Sequence, residues 1–217
     1  MNNCEIRVIY GKIEDQRPPT GSAIVLPCNE YFDDECVFDP RSALGAYVAR
    51  VFDDQVEEFI SLSKKECNRK FGKGKECRKT EDIFAESFGV GRCLLLIEPL
   101  GRSVPVALLS TTTQRVGEGL RGRISYLFDG IRGMVKLLAD ERINSIVMPL
   151  LGTGHGGISP PLAFVGLLLA VADVAHHSQN DGRFKKVTVI VFREDVSSSP
   201  TINKKIVRQA LALIGSK

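Results

Sequence analysis

The chain has 217 residues, 43% hydrophobic and 25% charged, no tryptophan and a formal net charge of +3. That suffices for a sizeable core in one domain or a domain with an insertion, and it excludes a chain that is disordered overall. The longest apolar run, Pro160 to Ala172, stops at Asp173 and is shorter than the roughly 20 residues a membrane span needs, so no part of the chain is expected to cross a membrane. Six cysteines are scattered with no Cys-x-x-Cys pair, and no secretory signal opens the sequence, which points to free thiols, a cytoplasmic setting and no zinc site.

The charge is uneven. Lys64, Lys65, Arg69, Lys70, Lys73, Lys75, Arg78 and Lys79 face only Glu66 and Glu76 in the same stretch, so the basic character belongs to one insertion, at about 64–88 of an otherwise single domain spanning 1–217.

Cys4 to Tyr10 alternates and predicts a first strand, ended by Gly11. Ser22 to Leu26, an apolar run between prolines, predicts a second strand buried on both faces. Asn29 to Cys36 is too acidic for a sheet interior and predicts a surface loop. Helices are expected over Ser42 to Phe52 and Asp54 to Leu62, followed by a polar loop from Lys64 to Ser87 with some helix near Glu81 to Ser87. Cys93 to Glu98 and Val104 to Thr112 predict strands, and Gly119 to Glu141 a long amphipathic helix. Asn144 to Met148 and Lys186 to Phe192 predict further strands, Ser159 to Ser178 and Thr201 to Ile214 helices. Strands alternating with helices imply an α/β fold whose mixed, mostly parallel sheet is covered on both faces. Ligands in such folds sit beyond the carboxyl ends of the strands, where the Asn29 and Gly152 loops both fall.

Between an apolar strand and an apolar helix lies Pro-Leu-Leu-Gly-Thr-Gly-His-Gly-Gly-Ile-Ser-Pro-Pro, Pro149 to Pro161. Glycines at 152, 154, 156 and 157 free the backbone to aim several N–H groups at one point, and the positive end of the next helix points the same way. Phosphate suits such a turn; close packing of strand on helix is the alternative use of the glycines. His155, inside the loop, could lie over a ligand or donate to phosphate. Gly117 to Gly122 matches G-x-G-x-x-G, but no acid follows at the next strand end to take ribose hydroxyls, which argues against a dinucleotide fingerprint. Glu30, Asp33, Asp34, Glu35 and Asp39 crowd carboxylates together; calcium-loop spacing is missing, so no metal is expected. No Ser/His/Asp triad or G-x-S-x-G elbow occurs. The basic segment offers a nucleic-acid alternative through phosphate neutralisation.

The Gly11-Lys12-Ile13 turn, Ala23 to Asn29, Ser42 to Ala46 and Gly152-Thr153-Gly154, in that order, resemble a macro domain across nearly the whole chain. The resemblance implies a three-layer α/β/α fold that binds ADP-ribose or a related nucleotide, with no separate cofactor. It implies Asn29 beside the distal ribose and a first phosphate loop at Ser42, Ala43, Leu44, Gly45 and Ala46. The second phosphate loop would be Gly152, Thr153, Gly154, His155, Gly156, Gly157 and Ile158, with Phe192 packing on adenine. The family usually has Asp where Lys12 stands, Asn where Leu26 stands and a Gly-Gly-Gly run where only Gly45 remains. A familiar ADP-ribosyl hydrolase would keep more of this set, so the resemblance favours a binding module; hydrolysis, with Asn29 positioning water beside a carboxylate base, is the alternative. The acidic loop looks like the macro-like sensor domains of TIR-linked bacterial antiviral systems of the Thoeris kind, which bind a modified ADP-ribose. There Asp33 and Asp34 would select a cationic or imidazole-like substituent, and an effector would be fused or associated.

Overall fold

A computed structural model describes residues 4–177, 184–193 and 202–214. Its main sheet takes strands β1 (Glu5–Gly11), β2 (Ser22–Asn29), β5 (Cys93–Leu96), β6 (Val106–Arg115), β7 (Gly119–Gly122), β8 (Ser145–Pro149) and β9 (Lys186–Phe192) in the order β1-β9-β8-β2-β6-β5, with β7 also paired to β6. The remaining two, β3 (Lys75–Arg78) and β4 (Phe84–Ser87), pair with each other in a separate small sheet. Every pair from β1 across to β6 is parallel, and β5 and β7 run antiparallel to β6. Because β2 and β8 are parallel neighbours, Asn29 and Pro149 end at the same rim, and the two loops expected to hold a ligand leave it side by side.

The apolar alternation of β2 explains the layers. Ala23 and Val25 face a core closed by α3 (Ile124–Asp140) and α4 (Pro160–His177), where Leu127, Ile131, Phe164 and Leu167 are buried. Ile24 and Leu26 face a second core closed by α1 (Ala43–Val51) and α2 (Val56–Phe71), filled by Leu44, Val48, Phe52 and Phe59. Helix α5 (Lys204–Leu213) adds Ala210 to the first core. The fold is therefore the three-layer α/β/α arrangement with a mixed, mostly parallel sheet. Strand β2 runs on through Pro27 to Asn29, beyond the expected Leu26. A proline is tolerated there because the pairing with β8 ends at Ile24, so no ladder bond on that side needs its N–H.

Three expectations fail. Helix α2 continues nine residues past Leu62 to Phe71, and Gly72 ends it at φ 70°. The segment beyond Gly72 is not loop with a helical turn but the antiparallel hairpin of β3 and β4. Gly119 to Gly122 is strand rather than the start of α3, so the G-x-G-x-x-G match is a hairpin: Gly117 and Gly119 take φ of 78° and 68° to turn β6 back into β7. A turn and a strand leave no helix N-terminus at those glycines for a pyrophosphate.

Phe164 is fully buried and Leu169, five residues along α4, is 42% exposed. Phe164→Ala is expected to cost about 3–5 kcal/mol in urea unfolding and Leu169→Ala less than about 0.5 kcal/mol.

Candidate functional site

The glycine loop after β8 is a compact turn with an open crest. Its base is closed by Ile158 N–H donating to Gly152 O (3.1 Å), Gly157 N–H to Gly154 O (3.1 Å) and Gly122 N–H from β7 to Gly156 O (2.8 Å). A Cβ on Gly152 would stand 2.8 Å from the Ile158 side chain, and one on Gly156 2.6 Å from Gly152 O. Gly152 and Gly157 also take positive φ. Those three glycines serve the turn itself. Gly154 does not: a Cβ there would meet nothing within 4 Å, and it sits exposed beside His155 at the crest. The close-packing use and the ligand use of the glycines thus divide within one loop.

The acidic loop after β2 lies at the surface, as its composition predicts, but it is anchored by apolar side chains. Tyr31, Phe32, Cys36 and Val37 are buried, and Phe32 stacks in a cluster with Phe71 and Phe88 at centroid distances of 5.7–6.2 Å. Most of its carboxylates are also bonded within the protein, although Asp34 and Glu35 stay about half exposed. Asn29, 1% exposed, accepts the Tyr31 N–H through Oδ1 (3.0 Å) and donates through Nδ2 to Asp33 Oδ1 (2.8 Å). Lys79, just past the end of β3, donates to Asp33 Oδ2 and Glu35 Oε2, both at 2.6 Å. Glu30 accepts from Ser87 Oγ (2.6 Å), the Gln114 N–H (3.1 Å) and the Thr113 hydroxyl. Lys64 reaches Asp34 only at 3.9 Å. Burial pulls the Lys79 ammonium down, but its bonds to Asp33 and Glu35 outweigh this and leave it above the ordinary lysine value. Asn29 and Asp33, both expected to touch ligand, bond to each other, and Asp33 also to Lys79 beside the hairpin.

A cavity of about 550 Å³ lies between the two loops, lined by Glu35, Phe38, Asp39 and Arg41 of the acidic loop, Leu120 of β7 and His155 of the glycine loop. His155 Nε2 lies 2.9 Å from Asp39 Oδ2, so a polar contact links the two loops beside it. Asp39 also accepts from Arg41 through Nε (3.0 Å), Nη2 (3.1 Å) and the backbone N–H (2.9 Å). Those Arg41 bonds, with His155 adding to them, lower the Asp39 carboxyl from its ordinary 3.8 to about 2. Phe38 is 58% exposed and presents an aromatic face to an incoming group. Cys36 also lines the cavity, but burial pushes its thiol to about 12, which removes it as a nucleophile at neutral pH.

At the expected first phosphate loop, Ser42 caps α1: its Oγ accepts the Gly45 N–H (2.8 Å) and its carbonyl accepts that of Ala46 (3.0 Å). Two of the predicted phosphate donors are therefore engaged, leaving Ala43 and Leu44 as first-turn donors without an intrahelical acceptor. Gly45 is required by contact, since a Cβ would lie 2.1 Å from Asp39 O. Phe192 ends β9, 59% exposed, in register with Gly11 of β1. The structure thus brings His155 to the cavity with Glu35, Phe38, Asp39 and Arg41, none of the last four a predicted ligand contact. The signal for them was available: five acids opposite an eight-cation segment invite pairing, and an aromatic among charges asks for a use. Among the described residues, no group of three or more His, Cys, Asp or Glu could hold a metal, and no helix is long and apolar enough to cross a membrane.

No protein-family profile matches the sequence, and no curated protein matches it. Solved structures match in fold. The Oceanobacillus iheyensis macrodomain mutant G37V with ADPR is similar at TM-score 0.66 and 16% identity, over 100% of this chain and 96% of that one. The macrodomain of Thermus aquaticus DarG is similar at TM-score 0.53 and 19% identity, over 86% and 98%. The Trypanosoma brucei macrodomain in complex with ADP-ribose is similar at TM-score 0.58 and 13% identity, over 97% and 69%. The chain has the macrodomain fold.

Two measurements check the geometry. Asp39, watched by carboxylate NMR, should titrate near pH 2 in the wild type and return toward its ordinary value in Arg41→Ala. Because its folded value is depressed, its contribution to stability is full above about pH 4 and lost as the pH falls toward 2. Gly45→Ala must displace the Asp39 carbonyl and should cost about 1–3 kcal/mol in urea unfolding.

Proposed function

We propose that this chain is a macro-domain family member, one domain with the basic insertion at about 64–88, that binds an ADP-ribose-type nucleotide and acts as a sensor or binding module. The observation that carries this is the cavity between the glycine loop and the acidic loop, at the rim where β2 and β8 end together. Structures of the same fold that hold ADP-ribose support it. In this arrangement the N–H groups at the crest of the glycine loop and the positive end of α4 face the pyrophosphate. The adenine lies toward Phe192, and the distal ribose with any substituent enters the cavity. Asn29 acts there as the post on which the acidic loop is built.

Selection of the distal substituent then passes from Asp33 and Asp34 to the groups that line the cavity. Glu35, Asp39, Arg41 and His155 offer both signs of charge around Phe38, which suits a polar substituent and gives selectivity more than affinity. A role in bacterial antiviral signalling, in the cytoplasm and with a fused or associated effector, rests only on the resemblance of the acidic loop to TIR-linked sensor domains. The hydrolase alternative would use the Asn29 amide to position water; the bonds of that amide to Asp33 and Tyr31 favour the binding reading over it. The basic segment, with Lys79 paired internally, presents less free charge to nucleic acid than its sequence suggests.

Calorimetric titration with ADP-ribose tests the proposal, and absence of heat with ADP-ribose and with base-modified derivatives defeats it. Gly154→Val adds a side chain where the protein leaves open space. It should leave thermal stability near the wild type and weaken ADP-ribose at least about tenfold, or 1.4 kcal/mol.

A further inference from the structure

The proposed site sets an electrostatic problem. Its ligand is an anion, yet one wall is the most acidic stretch of the chain, with Glu35 and Asp39 on the cavity itself. Unpaired carboxylates there would repel a diphosphate, and a low-dielectric wall would strengthen the repulsion. The structure answers this one carboxylate at a time. Asp39 is met by Arg41 and His155, and Glu30 by hydroxyl and amide donors. Asp33 and Glu35 are met by one cation, Lys79, which comes from 46 residues away and is only 12% exposed.

We propose that Lys79 is a specificity-determining counter-ion: by offsetting one of the two negative charges carried by Asp33 and Glu35 it weakens the repulsion of an acidic wall enough for the cavity to accept a phosphorylated ligand. The inference rests on the nucleotide-binding reading and assigns a task to the basic insertion. Lys79 stands behind the cavity wall and is not among the residues that line it. Its ammonium lies 5.5 Å over the Tyr31 ring and between two carboxylates, and its backbone N–H donates to Ile83 O (2.8 Å), so the β3–β4 turn fixes where the charge sits. The hairpin is held on the same loop by Phe88 N–H donating to Glu30 O (2.9 Å) and by the Ser87 hydroxyl. Two bonded carboxylates keep the charge in place, and an ammonium needs no partner of its own from the ligand.

The test uses the full chain, ADP-ribose as probe, and four proteins: wild type, Lys79→Arg, Lys79→Gln and Lys79→Met. Gln keeps a donor for Asp33 without the charge, Arg keeps the charge, and Met keeps neither. Expected at low salt are near-wild-type affinity for Arg and a loss of about tenfold or more for both Gln and Met, the gap narrowing as salt screens the exposed carboxylates. A strut that merely holds the loop would show in thermal unfolding, would be served by Gln as well as by Arg, and would not respond to salt. Wild-type affinity in Gln, or a loss in Gln that salt leaves unchanged, overturns the proposal while the binding reading stands. Should Met fail to fold, Gln against Arg decides alone. Absence of ADP-ribose binding by the wild type itself defeats the binding reading, and this proposal falls with it.

Discussion

One run of bonds shapes the rim where β2 ends: Tyr31 N–H to Asn29, Asn29 to Asp33, Asp33 to Lys79, Lys79 to Glu35. It begins at the last residue of a central strand, where the sheet fixes Asn29, and ends at a carboxylate on the cavity wall. Each member is bonded to the next, from buried Asn29 outward to exposed Glu35, and satisfied polar groups at the buried end rigidify a structure instead of weakening it. The acidic loop therefore extends the sheet's order outward, and the cavity wall inherits a position from β2 that its own composition would not give it.

The opposite wall is fixed by different means. The base of the glycine loop is closed by backbone bonds and by contacts so near that Gly152 and Gly156 leave no room for a Cβ. One wall is held by charge and the other by close backbone packing. The contact of His155 with Asp39 is where they meet, on the lining of the cavity. Salt and pH act on the first wall far more than on the second, because screening and protonation reach carboxylates and not amide geometry.

The three macrodomain structures share 13–19% identity with this chain, enough to fix the fold and too little to carry residue roles. Where this chain has Lys12, Leu26 and a lone Gly45, the chemistry of its site has to be taken from its own side chains. Those put Phe38, Asp39 and Arg41 on the lining of the cavity, while Asn29 lies buried behind it.

Local periodicity was enough to read the layers. Apolar runs such as Ile24 to Leu26 and the helical spacing of Leu127, Ile131 and Leu138 encode burial directly, because each residue's side of the sheet or helix is set by its neighbours in the chain. Composition also placed the glycine loop between β8 and α4. The same reading erred at 119–122, where four residues are too few to reveal a period, and over 64–87, where polar composition hid a continued helix and a hairpin. Which groups face the cavity was settled by contacts between distant segments. Lys79 meets Asp33 across 46 residues of chain, and only folding of the hairpin onto the acidic loop converts two opposite charge clusters into a paired wall, since Coulomb attraction has reach but no address in sequence.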